Sequence, residues 1–370
     1  MAFHTFELER WQSTWENRVH INLSESGVEP PPLAELLALT GRDPAELLGI
    51  RQGYSQSDGT DALRGLIAAQ YPGASADNVT VTLGSAEANF ITSWTLLTPG
   101  DHVAVMTPTY MQVPGLARNL GCEVSTFPLR EEAGWEPDPG DILRAIRPGT
   151  KLVLVTNPNN PTGHLLSPGA REVILVRTRE VGATLLADEV YQGAEHTGET
   201  TPTFWDGGDD VIAVNGLSKA WGLPGLRIGW IVSSPTVRSR LLERHDYTVI
   251  CPTPTSDWLA CAALGARDRV LARTRGILTA NYPVLAEWLA AQGRFHWHAP
   301  QCGAIAWARI EHQLSTLELV ERVKNDVNVL LVPGEHFDMP GWIRFGFGNP
   351  LDELTEGLEL LGGWLEGNTD

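Results

Sequence analysis

Residues 215–229 read NGLSKAWGLPGLRIG and contain Lys219, one of three lysines in the 370-residue chain. This segment follows residues 211–214, an apolar run that predicts a buried β-strand. An amine at the end of a buried strand is partly withdrawn from water, and desolvation lowers the pKa of a lysine. A neutral amine can attack a carbonyl and form a Schiff base. Taken alone, the segment equally fits a solvated lysine in a surface turn.

Two further polar segments come directly after predicted strands. VTNPNNPTG (155–163) follows a strand at 151–155, and DEVY (188–191) follows a strand at 184–187. Open α/β sheets place their ligands at the carboxyl ends of the strands. A carboxylate, a phenol, an amide and the amine of Lys219 are therefore expected to converge in one site.

The chain alternates short β-branched or apolar runs with helical patterns between residues 79 and 223, which indicates a mainly parallel α/β sheet. Strands are predicted at 79–83, 102–106, 151–155, 184–187 and 211–214. Helices or helix starts are predicted at 87–97, 111–120, 168–181 and 220–223.

The pattern changes to α+β after about residue 268. Helices are predicted near 270–292, 315–328 and 351–366, and short strands near 295–298, 305–308, 329–333 and 342–346. We therefore expect three parts: residues 1–42 form an N-terminal arm and the first part of a small domain, residues 43–268 form a large domain, and residues 269–370 complete the small α+β domain.

Charge and composition exclude several classes of protein. The chain has 27 Lys and Arg against 45 Asp and Glu, a formal net charge of −18, and a negative field repels nucleic acid. No apolar run approaches the roughly 18 residues of a membrane span, and Glu7 and Glu9 interrupt the stretch where a signal peptide is apolar.

The cysteines and histidines give no sign of a disulfide framework or a metal site. No CxxC pair occurs among the cysteines at positions 122, 251, 261 and 302. We therefore expect reduced thiols and a cytoplasmic location for the protein. His296 and His298 alternate on a predicted strand without further ligands at suitable spacing, so no metal is expected. The glycines at 222, 225 and 229 form no GxGxxG fingerprint for a nicotinamide cofactor.

Three motifs in this order carry a family resemblance: NPNNPTG (157–163), ADEVY (187–191) and SKAWGLPGLRIG (218–229). Together they resemble the fold-type I pyridoxal 5′-phosphate enzymes of the class I/II aminotransferase family, over about residues 22–362. The resemblance implies a large domain with a mainly parallel seven-stranded sheet and a smaller α+β domain. It also implies transfer of an amino group between an α-amino acid and a 2-oxo acid, through a Schiff base at Lys219.

The resemblance implies roles for the residues around the cofactor ring. Lys219 would hold the cofactor and move a proton, and Asp188 would keep the pyridine nitrogen protonated so that the ring accepts electrons. Tyr191 and Asn160 would hydrogen-bond the 3′-oxygen, and Tyr110 would stack on the ring. The alternatives are a helix N-cap at Asp188, a turn residue at Asn160 and a core aromatic at Tyr110.

The cofactor phosphate would lie at a helix N-terminus, where free N–H groups and the helix dipole favour an anion. Ser85 and Ala86 are expected there, with Arg227 as the cation. Gly216 replaces the Ser or Thr that relatives usually carry, so one phosphate bond is lost or comes from Ser218, Ser85 or water.

Substrate and subunit contacts also follow from the resemblance. The planar fork of Arg344 matches a carboxylate, so this arginine would bind the substrate α-carboxylate together with Asn160 and Gly27; a structural ion pair is the alternative. Tyr54 would reach the cofactor phosphate of a second subunit, which implies a homodimer. A loop tyrosine without that role is the alternative.

The side chain of the substrate is less defined. Val113 stands where many relatives have a substrate-facing tyrosine, and residues 247–258 lack the arginine that binds a second carboxylate. Glu25, Glu29 and Asp58 are candidates for binding a cationic side chain, or are ordinary solvated carboxylates.

The reaction also stays open at the level of sequence. The N-terminal segment faintly resembles capreomycidine synthase-like members of the family. Elimination or cyclisation, by a capreomycidine synthase-like or C–S lyase-like enzyme, uses the same lysine as transamination. A non-enzymatic ligand-binding module is a third reading.

Overall fold

Helices and strands alternate along most of the chain in the computed structural model, which describes residues 3–368. The helices of this part of the chain are α1 (Glu7–Trp15), α2 (Leu33–Thr40), α3 (Pro44–Leu48), α4 (Asp61–Ala68), α5 (Ser85–Leu96), α6 (Gln112–Asn119), α7 (Pro139–Ala145), α8 (Pro168–Glu180), α9 (Pro235–His245), α10 (Pro254–Gly265), α11 (Arg267–Gln292), α12 (Thr316–Val327) and α13 (Leu351–Gly367). The strands are β1 (Ile21–Asn22), β2 (Val79–Thr82), β3 (His102–Thr107), β4 (Glu123–Arg130), β5 (Glu136–Pro137), β6 (Thr150–Thr156), β7 (Thr184–Asp188), β8 (Val211–Gly216), β9 (Gly229–Val232), β10 (Phe295–Trp297), β11 (Ile305–Ile310), β12 (Val329–Leu330), β13 (Val332–Pro333) and β14 (Trp342–Gly346).

A large sheet of eight strands, within the described residues, forms the centre of the molecule in the order β2-β9-β8-β7-β6-β3-β4-β5. The five strands from β8 to β4 are parallel to their neighbours, and β9 is antiparallel to β8 and β2. The predicted mainly parallel sheet is confirmed. Its seven long strands gain an eighth, the two-residue β5, which pairs with β4 at the edge.

Both faces of this sheet are buried, as a parallel sheet covered by helices requires. Side chains alternate between the faces because the strand period is two. Val153 and Val155 of β6 join one hydrophobic cluster, and Leu152 and Leu154 join another. The near-continuous apolar runs of the sequence follow from this double burial.

A smaller antiparallel sheet in the order β10-β11-β14-β13 follows in the C-terminal third of the chain. Strand β1 pairs in parallel with β12, so residues 21–22 lie with C-terminal elements. The predicted strand at 329–333 is two strands, because β12 pairs with β1 and β13 pairs with β14. The division into domains at residue 268 stays a prediction.

The expected helix at residues 220–223 is wrong. Gly222 has a φ of +65°, which favours glycine, and Pro224 begins a short 3₁₀-helix that ends at Leu226. Proline has no N–H to continue a preceding helix. The segment after Lys219 is therefore a turn. The elements that were not predicted are helices α1, α2, α3, α4, α7, α9 and α10 and strands β1, β4, β5 and β9.

The remaining sequence expectations concern thiols, metals and membranes. All four cysteines are free, at positions 122, 251, 261 and 302. Among residues 3–368, no three side chains of His, Cys, Asp or Glu are grouped so as to hold a metal ion. No helix in the same range has the length and apolar character to cross a membrane.

Two glycines let the first turn of α5 lie directly against β9. A Cβ on Gly229 would lie 2.3 Å from the carbonyl carbon of Gly84 and 2.4 Å from the nitrogen of Ser85. Gly84 has a φ of +80°, and a Cβ there would lie 2.5 Å from Nη2 of Arg227. Backbone atoms leave no room for a side chain at Gly229, and the positive φ favours glycine at position 84, so the two glycines fix where the helix begins.

We predict that Gly229→Ala destabilises the protein by about 1–3 kcal/mol, since the new methyl group meets backbone atoms that must move. Urea unfolding measures the change. Gly225→Ala is the control, because no heavy atom lies within 4 Å of its new Cβ. Equal stability of the two variants would contradict the argument.

Candidate active site

A cavity of about 250 Å³ opens at the carboxyl ends of β6, β7 and β8, where the sequence places its polar segments. The predicted site residues that line it are Ser85, Ala86, Tyr110, Asn160, Asp188, Tyr191, Ser218, Lys219, Arg227 and Arg344. Glu9, Gln12, Glu16 and Glu25 complete one wall. The expected convergence at the strand ends is thus observed as geometry.

Lys219 is held by an acidic partner from the N-terminal segment. Its Nζ donates to Oε1 of Glu25 at 2.6 Å. The same oxygen accepts backbone N–H groups from Ser26 at 2.8 Å and Gly27 at 2.9 Å. The side chain of Lys219 is 25% exposed and that of Glu25 is 41% exposed, so Lys219 lies deeper in the cavity and Glu25 lies nearer its opening.

This partner reverses the expected protonation of the lysine. Burial lowers the pKa of Lys219, but the charge of Glu25 and the phenol of Tyr191 outweigh burial and raise the pKa above its ordinary value. Burial opposes ionisation of Glu25, yet Lys219 and two backbone N–H groups bring the pKa of Glu25 down to about 2. The expectation of a lowered lysine pKa is wrong, because the charge and hydrogen bond of Glu25, together with Tyr191, outweigh desolvation, although desolvation is the largest single influence.

Asp188 is buried at the end of β7 and is oriented by a residue that the sequence did not reveal. Its Oδ2 accepts from Nδ2 of Asn89 at 3.0 Å, and its Oδ1 accepts from the backbone N–H of Val190 at 3.2 Å. Burial raises the pKa of Asp188. A turn follows Asp188, so the helix N-cap alternative is not observed. The signal for Asn89 is its position one helical turn after Ser85.

Arg344 of β14 is buried, with 1% exposure, beside Asn160. Its Nη1 donates to Oδ1 of Asn160 at 3.0 Å, and its Nη2 donates to the carbonyl oxygen of Ser24 at 2.6 Å. Both partners are neutral, unlike the carboxylate of a structural ion pair. Nε is buried without a partner within residues 3–368. An unsatisfied donor on a buried cation suits an incoming carboxylate.

Two tyrosines line the cavity above Asp188. Tyr191 is 3% exposed, and burial raises its pKa despite the opposing charges of Lys219 and Arg344. The hydroxyl of Tyr110 donates to Oε1 of Glu9 at 2.6 Å, and burial with Glu9 raises its pKa. Glu9 belongs to α1, a helix that the sequence did not predict, so this contact was missed.

The other end of the cavity is rich in donors. Ser85 and Ala86 begin α5, so their N–H groups belong to the first turn of the helix. Arg227 lies opposite in a left-handed conformation, with a φ of +52°, and donates to the carbonyl oxygens of Pro224 at 3.0 Å and Leu83 at 3.3 Å. A helix N-terminus facing a guanidinium is suited to a phosphate.

Gly216 has a structural reason for its departure from the family pattern. A Cβ at this position would lie 3.1 Å from the carbonyl oxygen of Ile228 and 3.2 Å from the Cα of Gly229. A larger residue would press on β9, where the backbone already touches α5. Ser85 and Ser218 both line the cavity and offer hydroxyl groups in its place.

Five sequence candidates lie outside the cavity lining, Asp58 among them. Tyr54 is 89% exposed. Gly27 lies against the aliphatic part of the lysine side chain, since a Cβ on Gly27 would lie 3.6 Å from Cδ of Lys219. Glu29 is exposed. Val113 is 2% exposed within a hydrophobic cluster, so it does not face the cavity.

Asp58 is not available for a substrate cation, and that expectation is wrong. Its carboxylate pairs with Arg238 and, at 3.3 Å, with Nη1 of Arg64. Its side chain is 15% exposed, so this carboxylate forms part of the packing around α4.

The fold and the site together define an α/β enzyme that binds a phosphate-bearing carbonyl compound at an amine. The model of the family "aminotransferase class I and II" matches residues 22–361, and the chain belongs to this family. Capreomycidine synthase of Streptomyces vinaceus is 33% identical over 361 residues, which cover 96% of this chain and 92% of that protein.

Two solved structures share the whole fold. A PLP-dependent aminotransferase from Streptococcus suis 89-1591 has a TM-score of 0.94 and 32% identity, over 100% of both chains. The PLP-dependent cyclase OrfR has a TM-score of 0.91 and 30% identity, over 99% of this chain and 98% of that one. The fold is that of the fold-type I enzymes.

The cofactor implied by this family is pyridoxal 5′-phosphate, and the residues present fit it. An amine stands at Lys219, and a buried carboxylate stands at Asp188. At the opposite end, Arg227 and the first turn of α5 form a cradle that a Cβ on Gly84 would fill. This donor set matches the carbonyl, the ring nitrogen and the phosphate of the cofactor.

We predict that Asn89→Ala weakens binding of pyridoxal 5′-phosphate by about tenfold, because a buried carboxylate loses a hydrogen bond. Equilibrium dialysis measures the affinity. Ser93→Ala is the control, since the one bond that its hydroxyl makes within residues 3–368 goes to the Asn89 carbonyl oxygen of the same helix, at 2.8 Å. Unchanged affinity in Asn89→Ala would show that Asn89 does not orient Asp188.

Proposed function

We propose that this protein transfers the amino group of an α-amino acid to a 2-oxo acid. The observation that carries the proposal is the convergence of Lys219, Asp188 and Arg344 on one cavity. These groups supply an amine, a buried carboxylate and a carboxylate-binding cation. The membership in the aminotransferase class I and II family supports it.

Besides Lys219, the chain would hold the cofactor at four points: its ring nitrogen, its 3′-oxygen, its ring face and its phosphate. Bound pyridoxal 5′-phosphate supplies a reactive carbonyl and a ring that accepts electrons from the substrate Cα. Asp188 would keep a proton on the ring nitrogen, and Tyr191 with Asn160 would donate to the 3′-oxygen. Tyr110 would pack on the ring. The phosphate ligands would be Ser85, Ala86, Ser218 and Arg227.

The substrate would be oriented by Arg344 and the catalytic lysine. Arg344 has an unsatisfied Nε in a buried position, which supports a contact with the α-carboxylate. Gly27 and Asn160 would border that carboxylate. The Nζ of Lys219 would take the proton from the substrate Cα and deliver it to C4′ of the cofactor.

A homodimer is part of the proposal. Tyr54 projects into solvent, 89% exposed, and lies outside the cavity of its own chain. A large exposed tyrosine on a loop suits a contact with a second subunit, and there it would reach the cofactor phosphate. A cytoplasmic location likewise stays a prediction.

A second candidate is elimination with cyclisation, or a related lyase reaction such as C–S cleavage. The observation that favours it is the acidic wall of the cavity, formed by Glu9, Glu16 and Glu25. Burial, Glu25 and Glu9 all raise the pKa of Glu16, so the carboxylates repel one another. A cationic side chain would relieve this repulsion. The similarity to capreomycidine synthase and to a PLP-dependent cyclase agrees with this candidate.

Product stoichiometry separates the two reactions. We expect that arginine or a neutral amino acid, without an acceptor, yields at most one 2-oxo acid per subunit, because the amino group stays with the cofactor. Added pyruvate should then permit repeated turnover. Chromatography of the products measures both. Repeated turnover of a hydroxylated arginine without any acceptor would instead identify elimination or cyclisation.

We predict that Glu16→Gln raises KM for arginine about tenfold and leaves KM for alanine unchanged, because a charge-assisted contact is lost. Steady-state kinetics with both amino acids measure the split. Glu29→Gln is the matched control, since Glu29 is exposed outside the cavity. Equal effects of Glu16→Gln on both amino acids would remove the cationic substrate from the proposal.

A further inference from the structure

Glu25 forms the closest polar contact of Lys219, and nothing in the family motifs assigns it. The distance between Nζ and Oε1 is 2.6 Å. Glu25 comes from the N-terminal segment, which lies over the cavity, whereas Lys219 follows β8. The contact therefore joins the reactive amine to a carboxylate from a separate part of the chain.

The carboxylate of Glu25 is held by backbone donors of its own segment. Oε1 accepts N–H groups from Ser26 and Gly27, and these two bonds orient the side chain towards the lysine. The same segment is anchored on β14, because the Ser24 carbonyl oxygen accepts from Arg344 at 2.6 Å. Two backbone donors and an anchored segment are what a positioning residue requires.

Four ionisable groups act on Lys219 from the elements around it. Glu25 of the N-terminal segment and Tyr191 after β7 favour the ammonium form, and Arg344 of β14 opposes it. Glu16, from the end of α1, also interacts with the charge of Lys219. The carboxylate of Glu25 is the nearest of the four, and its two-point attachment keeps it there.

We propose that Glu25 is the acid–base partner of Lys219. The carboxylate of Glu25 holds the free lysine side chain as an ammonium ion, and so sets the pH at which Lys219 attaches the cofactor. In the attachment, Nζ releases one proton to water. Its lone pair would then form the C=N bond with the aldehyde carbon, and the aldehyde oxygen would leave as water, taking the two protons that remain on Nζ. The proposal rests on the cofactor alone and is the same for transamination and for cyclisation.

Glu25→Gln isolates the charge. The amide oxygen still accepts the N–H groups of Ser26 and Gly27, so the segment keeps its shape while Lys219 loses its counter-ion. Burial then lowers the pKa of Lys219 with less opposition. The neutral amine is present at lower pH, and attachment at neutral pH becomes faster.

The experiment uses the full-length protein, stripped of cofactor and mixed with low concentrations of pyridoxal 5′-phosphate between about pH 6 and about pH 10. Absorbance follows attachment, and mass spectrometry after borohydride reduction confirms the adduct on Lys219. We expect the midpoint of the rate in Glu25→Gln to move down by about one pH unit or more, which is about tenfold faster attachment at neutral pH. Glu25→Asp keeps the charge at a greater distance and should lie between the two.

Matched measurements decide the outcome. Glu29→Gln should keep the wild-type midpoint, and thermal unfolding shows whether each variant is folded. The same midpoint in folded Glu25→Gln and wild type would overturn the proposal. If Glu25→Gln fails to fold, the wild-type profile decides: a plateau well below the ordinary lysine pKa of about 10.4 would overturn the proposal, and a rate still rising there would support it.

Discussion

Parallel pairing of β6, β7 and β8 is the constraint on which the site depends. The register places Thr156 beside Asp188 and Asp188 beside Val214, so the three strands end at one edge. Each strand end then leads into a segment with a different polar group. Because the strands are buried on both faces, their side chains cannot reach solvent, and the edge is where amine, carboxylate and amide meet. The glycine contacts between β9 and α5 bring a helix N-terminus to the same edge.

The local sequence pattern predicted the central strands and the polar residues that directly follow them. The apolar runs gave the central strands, and polar segments after them gave Asn160, Asp188 and Lys219. The contacts that tune these groups join distant positions: Asn89 and Asp188 are 99 residues apart, Glu9 and Tyr110 are 101 apart, and Glu25 and Lys219 are 194 apart. No periodicity reports such pairs. The prediction of a lowered pKa for Lys219 was wrong for this reason, since its closest charged partner, Glu25, lies on a distant part of the chain.

The N-terminal segment connects the two sheets to the site. Strand β1 pairs with β12, and the carbonyl oxygen of Leu23 accepts from the backbone N–H of Gly346 at 2.7 Å. Ser24 and Glu25, the next two residues, contact Arg344 and Lys219. The same short segment therefore contacts Arg344, which is proposed to bind the substrate carboxylate, and Lys219, which is proposed to hold the cofactor. Because the segment is held to β14, movement of the smaller sheet against the larger one would change the contact between Glu25 and Lys219.

The separation of elements explains why the cofactor is easier to infer than the substrate. The groups that fit pyridoxal 5′-phosphate lie at the ends of the central strands, in the segments next to them and on α5. The carboxylates that face the rest of the cavity lie on α1 and the N-terminal segment. Glu9 lies on α1 and Glu16 directly follows it, so neither carboxylate belongs to the sheet. On the proposed function, substrate choice depends on α1 and the N-terminal segment, which lie outside the family motifs, so those motifs carry no information about it.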